Sequence, residues 1–220
     1  MKYDRCIHPT IMFAYVDTRV SNPVRQKFEA YLKSTMAFAK RKGLDLRFEV
    51  VGIRERGLTV TDRDDPKGFR FGYSLVMEMP DDGIPEDAQH VSDIVYAGLR
   101  DAVWNTPFRN VDDREDCFVV RLQDRNDTSV VHECQVSLMM RDVSGRVLYR
   151  YQDMYNGGYV FRPIEGTEGY DALLDSVHEK LEDPFKRIRR SCKLVMNEDP
   201  ERCTALIYAE VIRDLAKGPE

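Results

Sequence analysis

Residues 69–79 read Phe-Arg-Phe-Gly-Tyr-Ser-Leu-Val-Met-Glu-Met, and this stretch decides how the chain is built. Every odd position is large: Phe69, Phe71, Tyr73, Leu75, Met77 and Met79. Between them stand Arg70, Gly72, Ser74, Val76 and Glu78. Successive side chains of a strand point to opposite sides, so the alternation predicts a long β-strand with one buried face and one mostly open face.

The same design recurs outward from this strand. Leu46–Arg54 alternates and changes phase near Gly52, as at a bulge, and Leu58–Asp62 follows a tight turn. Beyond it, Pro80–Pro85 breaks the pattern and 86–104 carries Val91, Ile94, Val95, Leu99 and Val103 at helical spacing. Cys117–Gln123, Val130–Arg141 and Arg146–Gln152 then alternate as strands, with Ser144-Gly145 marking a hairpin turn and Tyr159–Arg162 a short last strand. A long helix is expected from about Glu168, interrupted at Pro184, and a final helix over 200–216. Upstream, Ile11–Val16 reads as an edge strand or an arm. Asn22-Pro23 predicts a helix start, with Gly43 as the stop and Lys40, Arg41 and Lys42 complementing the dipole at its end.

The fold class expected is therefore α+β: two antiparallel β-meanders, each followed by a helix, with an N-terminal helix and a C-terminal helix. The segments are 1–43 (arm and helix), 44–197 (tandem sheet-plus-helix core) and 198–220 (C-terminal helix), together one compact domain.

Composition bounds the function. The chain has 220 residues, 42% hydrophobic and 32% charged, which suits a folded domain rather than a disordered one. No apolar run approaches the roughly 20 residues that a membrane span needs. Met1–Thr10 lacks the layout of a signal peptide, which points to a cytosolic site of action. The net charge of −5 argues against coating nucleic acid by bulk charge, though not against a local basic surface. The five cysteines (Cys6, Cys117, Cys134, Cys192 and Cys203) include no C-x-x-C pair and fit buried free thiols in a reducing compartment.

Enzyme signatures are missing: no phosphate-binding glycine loop, no G-x-S-x-G and no H-E-x-x-H. The Asp62–Asp65 cluster reads as a metal-binding loop or, equally, as a solvated turn. His132 and His178 read as structural. A nucleotidyltransferase needs paired carboxylates at a strand end beside a Gly-Ser; Gly52-Ile53 and Tyr73-Ser74-Leu75 occupy comparable places without the acids. On this reading the chain is no enzyme, with no catalytic residue, cofactor or metal.

The constellation that stands out is arginine on the open strand faces. Arg121, Arg141, Arg146 and Arg150 lie opposite the apolar positions and are placed to contact phosphate. Tyr155 and Tyr159, near the last turns, are placed to stack on bases. Arg187, Arg190 and Lys193, on the solvent side of a helix, extend the track.

The order of strands, helix, strands and long helix over residues 44–197 resembles the Whirly and Pur-alpha class of nucleic-acid-binding folds. The likeness rests on topology and carries no binding residue across. The size and the acidic, arginine-rich composition also look like the RNA-binding proteins associated with the nuclear shell of jumbo phages, which implies work inside an infected bacterium. Both imply a non-enzymatic binder of single-stranded RNA or DNA. Two alternatives stand beside it: a structural protein acting through self-association or a partner protein, and a degenerate nucleotidyltransferase-like domain.

Overall fold

The computed structural model describes residues 12–53, 56–64, 67–79, 87–106, 110–124, 126–142, 145–167 and 169–218. Cys6, Arg54, Asp65, the Pro80–Pro85 break and Ser144 lie outside the described residues. The elements run β1 (Phe13–Tyr15), α1 (Thr18–Arg41), β2 (Arg47–Val50), β3 (Gly52–Ile53), β4 (Arg56–Gly57), β5 (Val60–Asp62), β6 (Arg70–Glu78) and α2 (Ala88–Val103). There follow β7 (Val111–Asp113), β8 (Phe118–Gln123), β9 (Val131–Arg141), β10 (Val147–Gln152), β11 (Tyr159–Pro163), α3 (Tyr170–Lys180), α4 (Pro184–Glu198) and α5 (Thr204–Lys217).

Helix α1 starts a turn earlier than Asn22-Pro23 suggests. Asp17 is the cap, its carboxylate accepting from the Arg19 amide at 2.7 Å. Pro23 lies inside the helix and forgoes one backbone bond, while Val24, Phe28 and Leu32 bury the face around it. The stop at Gly43 holds, with φ at 89°. Pro184 divides the long C-terminal pattern into α3 and α4 by taking the first position of α4, where a missing N–H costs nothing.

The described strands form one mixed nine-stranded sheet plus the small β3–β4 ribbon, not two antiparallel meanders. At its centre β6 and β9 pair in parallel over the whole of β6, from Arg70 opposite Glu133 to Glu78 opposite Arg141. The chain makes this possible by crossing over through α2 and returning along β7 and β8, so that β9 runs the same way as β6. On the outer edge of β6, β2 and β5 both pair antiparallel, and the β3–β4 ribbon is an excursion between them. On the outer edge of β9, β8 takes one half and β10 the other.

Both faces of this sheet are covered. Phe71, Tyr73, Leu75, Met77, Val136, Leu138 and Met140 pack beneath α1 and α2 with Phe28, Leu32, Val95 and Leu99. Val76, Val119, Met139, Val147 and Tyr149 pack with Ile188, Cys192, Met196, Ile207 and Val211 of α4 and α5. The second face is the one expected to be open. Its Arg, Ser and Gly positions are small or paired: Ser74 and Ser137 share a hydrogen bond of 2.8 Å, and Arg70 meets Glu133 at 2.9 Å. Gly72 lies under α5; a Cβ there would stand 3.0 Å from the Thr204 side chain. Gln135 caps that helix from across the sheet, its side-chain oxygen accepting from the Thr204 amide at 2.9 Å and hydroxyl at 2.6 Å. Among the described residues no helix is long and apolar enough to cross a membrane.

Candidate functional site

The arginines singled out in the sequence do not form a track. Arg150 is fully buried on the α1–α2 face. Its guanidinium donates to Ser92 at 2.8 Å, to Asp113 at 2.7 Å and to the Arg114 carbonyl at 2.9 Å. It is clamped between the rings of Phe118 and Tyr159 at 4.0 and 4.1 Å, so Tyr159 stacks on an arginine and not on a base. The reason is parity. Leu148 sits opposite Met140, so Arg150, two residues on, shares the face of Met140, while Tyr149 takes the other.

Arg121 lies at the far end of β9, held by Asp112 and by Glu133 at 3.6 Å. Arg146 pairs with Asp142 at 3.4 Å, beside the β9–β10 turn. Tyr155 is 94% exposed at the β10–β11 turn. Arg187 and Arg190 are exposed and Lys193 half-buried on the side of α4 opposite Ile188, Cys192 and Met196.

Polar groups gather instead around Arg141, at the end of β9. Its guanidinium lies 3.5 Å from the Glu49 carboxylate of β2 and 3.8 Å from that of Asp171 in the first turn of α3. Between these elements and α5 is a half-enclosed cavity of about 250 Å³. Gly52, Ser74, Tyr149, Tyr170 and Tyr208 complete its polar and aromatic lining, with Val51, Met139, Leu174 and Ala205 between them.

Two features mark it as unfinished. The Arg141 Nε and the Tyr208 hydroxyl are buried, and among the described residues neither has a hydrogen-bond partner, although Tyr208 is only 6% exposed. A buried polar atom left without a partner costs about 1–3 kcal/mol, so such atoms call for something to bond. Burial first of all pushes the phenols of Tyr149, Tyr170 and Tyr208 above the ordinary tyrosine range, so all three stay neutral donors.

The sequence reading missed Asp171 and Tyr208 altogether and treated Tyr149 and Tyr170 as core. The available signal was a phenol set in an apolar stripe, because a buried tyrosine hydroxyl ordinarily needs a partner. Gly52 and Ser74, noted as the places a nucleotidyltransferase would use, do converge on this cavity.

The cavity does not suit a catalytic metal ion. Arg141 already stands beside both carboxylates, and among the described residues no three His, Cys, Asp or Glu side chains come together as ligands would. At the Asp62–Asp65 loop, the Asp64 amide donates to the Asp62 carboxylate at 2.9 Å, as in a solvated turn.

No protein-family model matches the chain, and no curated protein matches it in sequence. Among solved structures it is similar to CdnC from E. coli MS115-1, solved with ATP (11% identity, 94% of this chain, 63% of that one, TM-score 0.44). It is also similar to the CD-NTase CdnG from Bradyrhizobium diazoefficiens, solved with GTP (11%, 96% and 69%, TM-score 0.47). A third is the CdnE cyclic dinucleotide synthase from Elizabethkingia meningoseptica, solved with GTP and Apcpp (12%, 92% and 70%, TM-score 0.44). The chain spans a little under two thirds of the length of CdnC, and at these identities the likeness is one of layout, with no residue carried across.

These findings correct the sequence reading. The structures named above are CdnC, the CD-NTase CdnG and the CdnE cyclic dinucleotide synthase, not Whirly or Pur-alpha proteins, and the described strands form a single mixed sheet beside the β3–β4 ribbon. The resemblance to phage-shell RNA-binding proteins is withdrawn with it, as is the non-enzymatic binder of single-stranded RNA or DNA. Its binding face lies under α3, α4 and α5. The expectation of no enzyme, which rested on missing motifs alone, is withdrawn as well; a cyclic dinucleotide synthase is among the similar structures.

Proposed function

We propose that the chain is a degenerate nucleotidyltransferase-like domain that holds a nucleotide-class small molecule in the cavity around Arg141. One observation carries the reading: Glu49, Gly52, Ser74, Arg141, Asp171 and Tyr208, from six separate elements, converge on one half-enclosed space. The domain is degenerate in that both carboxylates face a guanidinium, leaving neither free to hold a cation and a triphosphate together.

We read the described residues as one domain, since α1 and α5 bury their apolar faces in cores shared with the sheet. The free, buried Cys117, Cys134, Cys192 and Cys203 support a reducing, cytosolic setting.

Calorimetry with ATP, GTP, CTP and UTP, with and without Mg²⁺, tests the reading. The expected outcome is saturable binding of at least one nucleotide, with an affinity indifferent to Mg²⁺. No heat at millimolar nucleotide overturns it. Product formation from labelled triphosphates with Mg²⁺ would remove the word degenerate and make the carboxylates catalytic.

A further inference from the structure

The outer face of α4 is complementary to itself. Arg187, Ser191, Leu194 and Glu198 follow one another at spacings of four, three and four residues, so they form a single stripe along the helix. The stripe lies apart from the buried face of Ile188, Cys192 and Met196. Arg187 and Glu198 are exposed at its two ends, and among the described residues neither side chain makes an ion pair. Leu194, near the middle, is 54% exposed. Beside the stripe runs a groove of about 600 Å³ between α4, α5 and the end of α3, more than twice the volume around Arg141. Leu181, Val195, Val211 and Leu215 give the groove apolar walls, and all four stripe residues line it as well.

The order of the stripe decides what fits it. It reads cation, small, large, anion, with its midpoint between Ser191 and Leu194. Laid antiparallel on a second copy about that midpoint, it brings Arg187 to the partner's Glu198 and Ser191 to the partner's Leu194. A two-fold axis makes each of these contacts twice. The space over the small Ser191 takes the leucine, whose side chain then continues into the apolar groove. The two charged pairs close the ends, about 16 Å apart along the helix. Parallel pairing would instead set Arg187 on Arg187 and Glu198 on Glu198, and like charges across an interface are disfavoured.

We infer that the chain forms a two-fold dimer in which the α4 helices pair antiparallel, each Leu194 seated in the groove of the other copy. This goes beyond the proposed function and does not depend on the cavity around Arg141. One helix from each copy makes a small interface, so the dimer is weak and builds up with concentration.

Sedimentation equilibrium of the intact chain, from micromolar to millimolar concentration, reads the association. A monomer–dimer equilibrium is the expected result. Glu198→Arg sets arginine against arginine at both ends and weakens dimerisation by about tenfold or more. Arg187→Glu does the same by setting carboxylate against carboxylate. The two substitutions together restore association, because the pairs form again with their signs exchanged. Both positions are exposed, so the circular dichroism of all three variants stays that of the parent chain. A chain that remains monomeric at millimolar concentration overturns the inference and leaves the groove to an occupant of another kind. Dimerisation indifferent to both single reversals overturns the role of α4. Single reversals that weaken the dimer without rescue by the double exchange overturn the antiparallel pairing.

Discussion

The two faces of the sheet are built from the same strands and do different work. Beneath α1 and α2 the face is aliphatic and aromatic, and its one fully buried guanidinium, Arg150, is boxed in by two rings and three hydrogen-bond acceptors. Beneath α3, α4 and α5 the centre of the face is small and polar: Gly72, Ser74, Gln135 and Ser137. At its end it opens into the cavity around Arg141. The first face is closed because, among the described residues, its polar groups are matched apart from the Arg150 Nε and the His132 Nε2. The second can host a ligand because small residues let α5 settle close to the strands while larger ones at the margin leave room. Burial alone therefore does not separate scaffold from site; a cavity lined by polar side chains from several elements does.

Disrupting the first face has the largest expected effect. Arg150→Ala removes the partner of Asp113 and empties the space between Phe118 and Tyr159. Losing one member of a buried pair costs about 3–5 kcal/mol; because Asp113 is 28% exposed, the lower end is expected, about 3 kcal/mol in urea unfolding. A loss under about 1 kcal/mol would mean that the clamp is incidental.

Next comes the close approach on the second face. Gly72→Val forces a branched side chain against Thr204 and Val51, for an expected loss of about 2 kcal/mol by the same measurement. Faster hydrogen exchange in the first turn of α5 should accompany it.

A smaller effect is expected from His132, on the first face, where it stacks on Phe69 at 5.0 Å and accepts from the Phe69 amide at 3.2 Å. Burial, chiefly, holds its pKa below the ordinary value; Lys27 adds to the lowering and Asp124, at 4.0 Å, opposes it. With the folded pKa depressed, the unfolded chain binds the proton more readily. The stabilising contribution is full above the ordinary histidine pKa of about 6.5 and drains away as acid is added below it. His132→Asn, which keeps an acceptor for Phe69 and cannot titrate there, should flatten that part of the stability-versus-pH curve measured by urea unfolding. An unchanged slope would show that other groups set it.

The smallest expected effect is on the outer surface above the second face. Changing Arg187 and Arg190 to alanine together should shift stability by no more than about 0.5 kcal/mol per site, since both are exposed on α4.

The sequence carried the local structure well and the assembly poorly. The alternation at 69–79, the stop at Gly43 and the break at Pro184 all act over a few residues, and each corresponds to an element or an end in the structure. The true start of α1 at Asp17 lost to Asn22-Pro23 because the proline looked like a first-turn residue. Alternation says that two faces exist, not that one must be wet, and Gly72, Ser74 and Ser137 read as solvated although they are the residues that let a helix approach. The parallel pairing of β6 with β9 depends on the path of the chain between them, which no local pattern records. The cavity was illegible for the same reason: Glu49, Ser74, Arg141, Asp171 and Tyr208 lie far apart along the chain and meet only once the sheet is complete.

The cap that Gln135 places on α5 has a consequence for how the chain reaches this structure. Thr204 lies 69 residues beyond Gln135, so the bond closes late during synthesis. Until residues 204–217 have left the ribosome, Val76, Val119 and Met139 have no α5 to cover them, and a nascent chain paused there displays an apolar strand surface to its surroundings. Arrival of α5 is then the event that covers this strand surface.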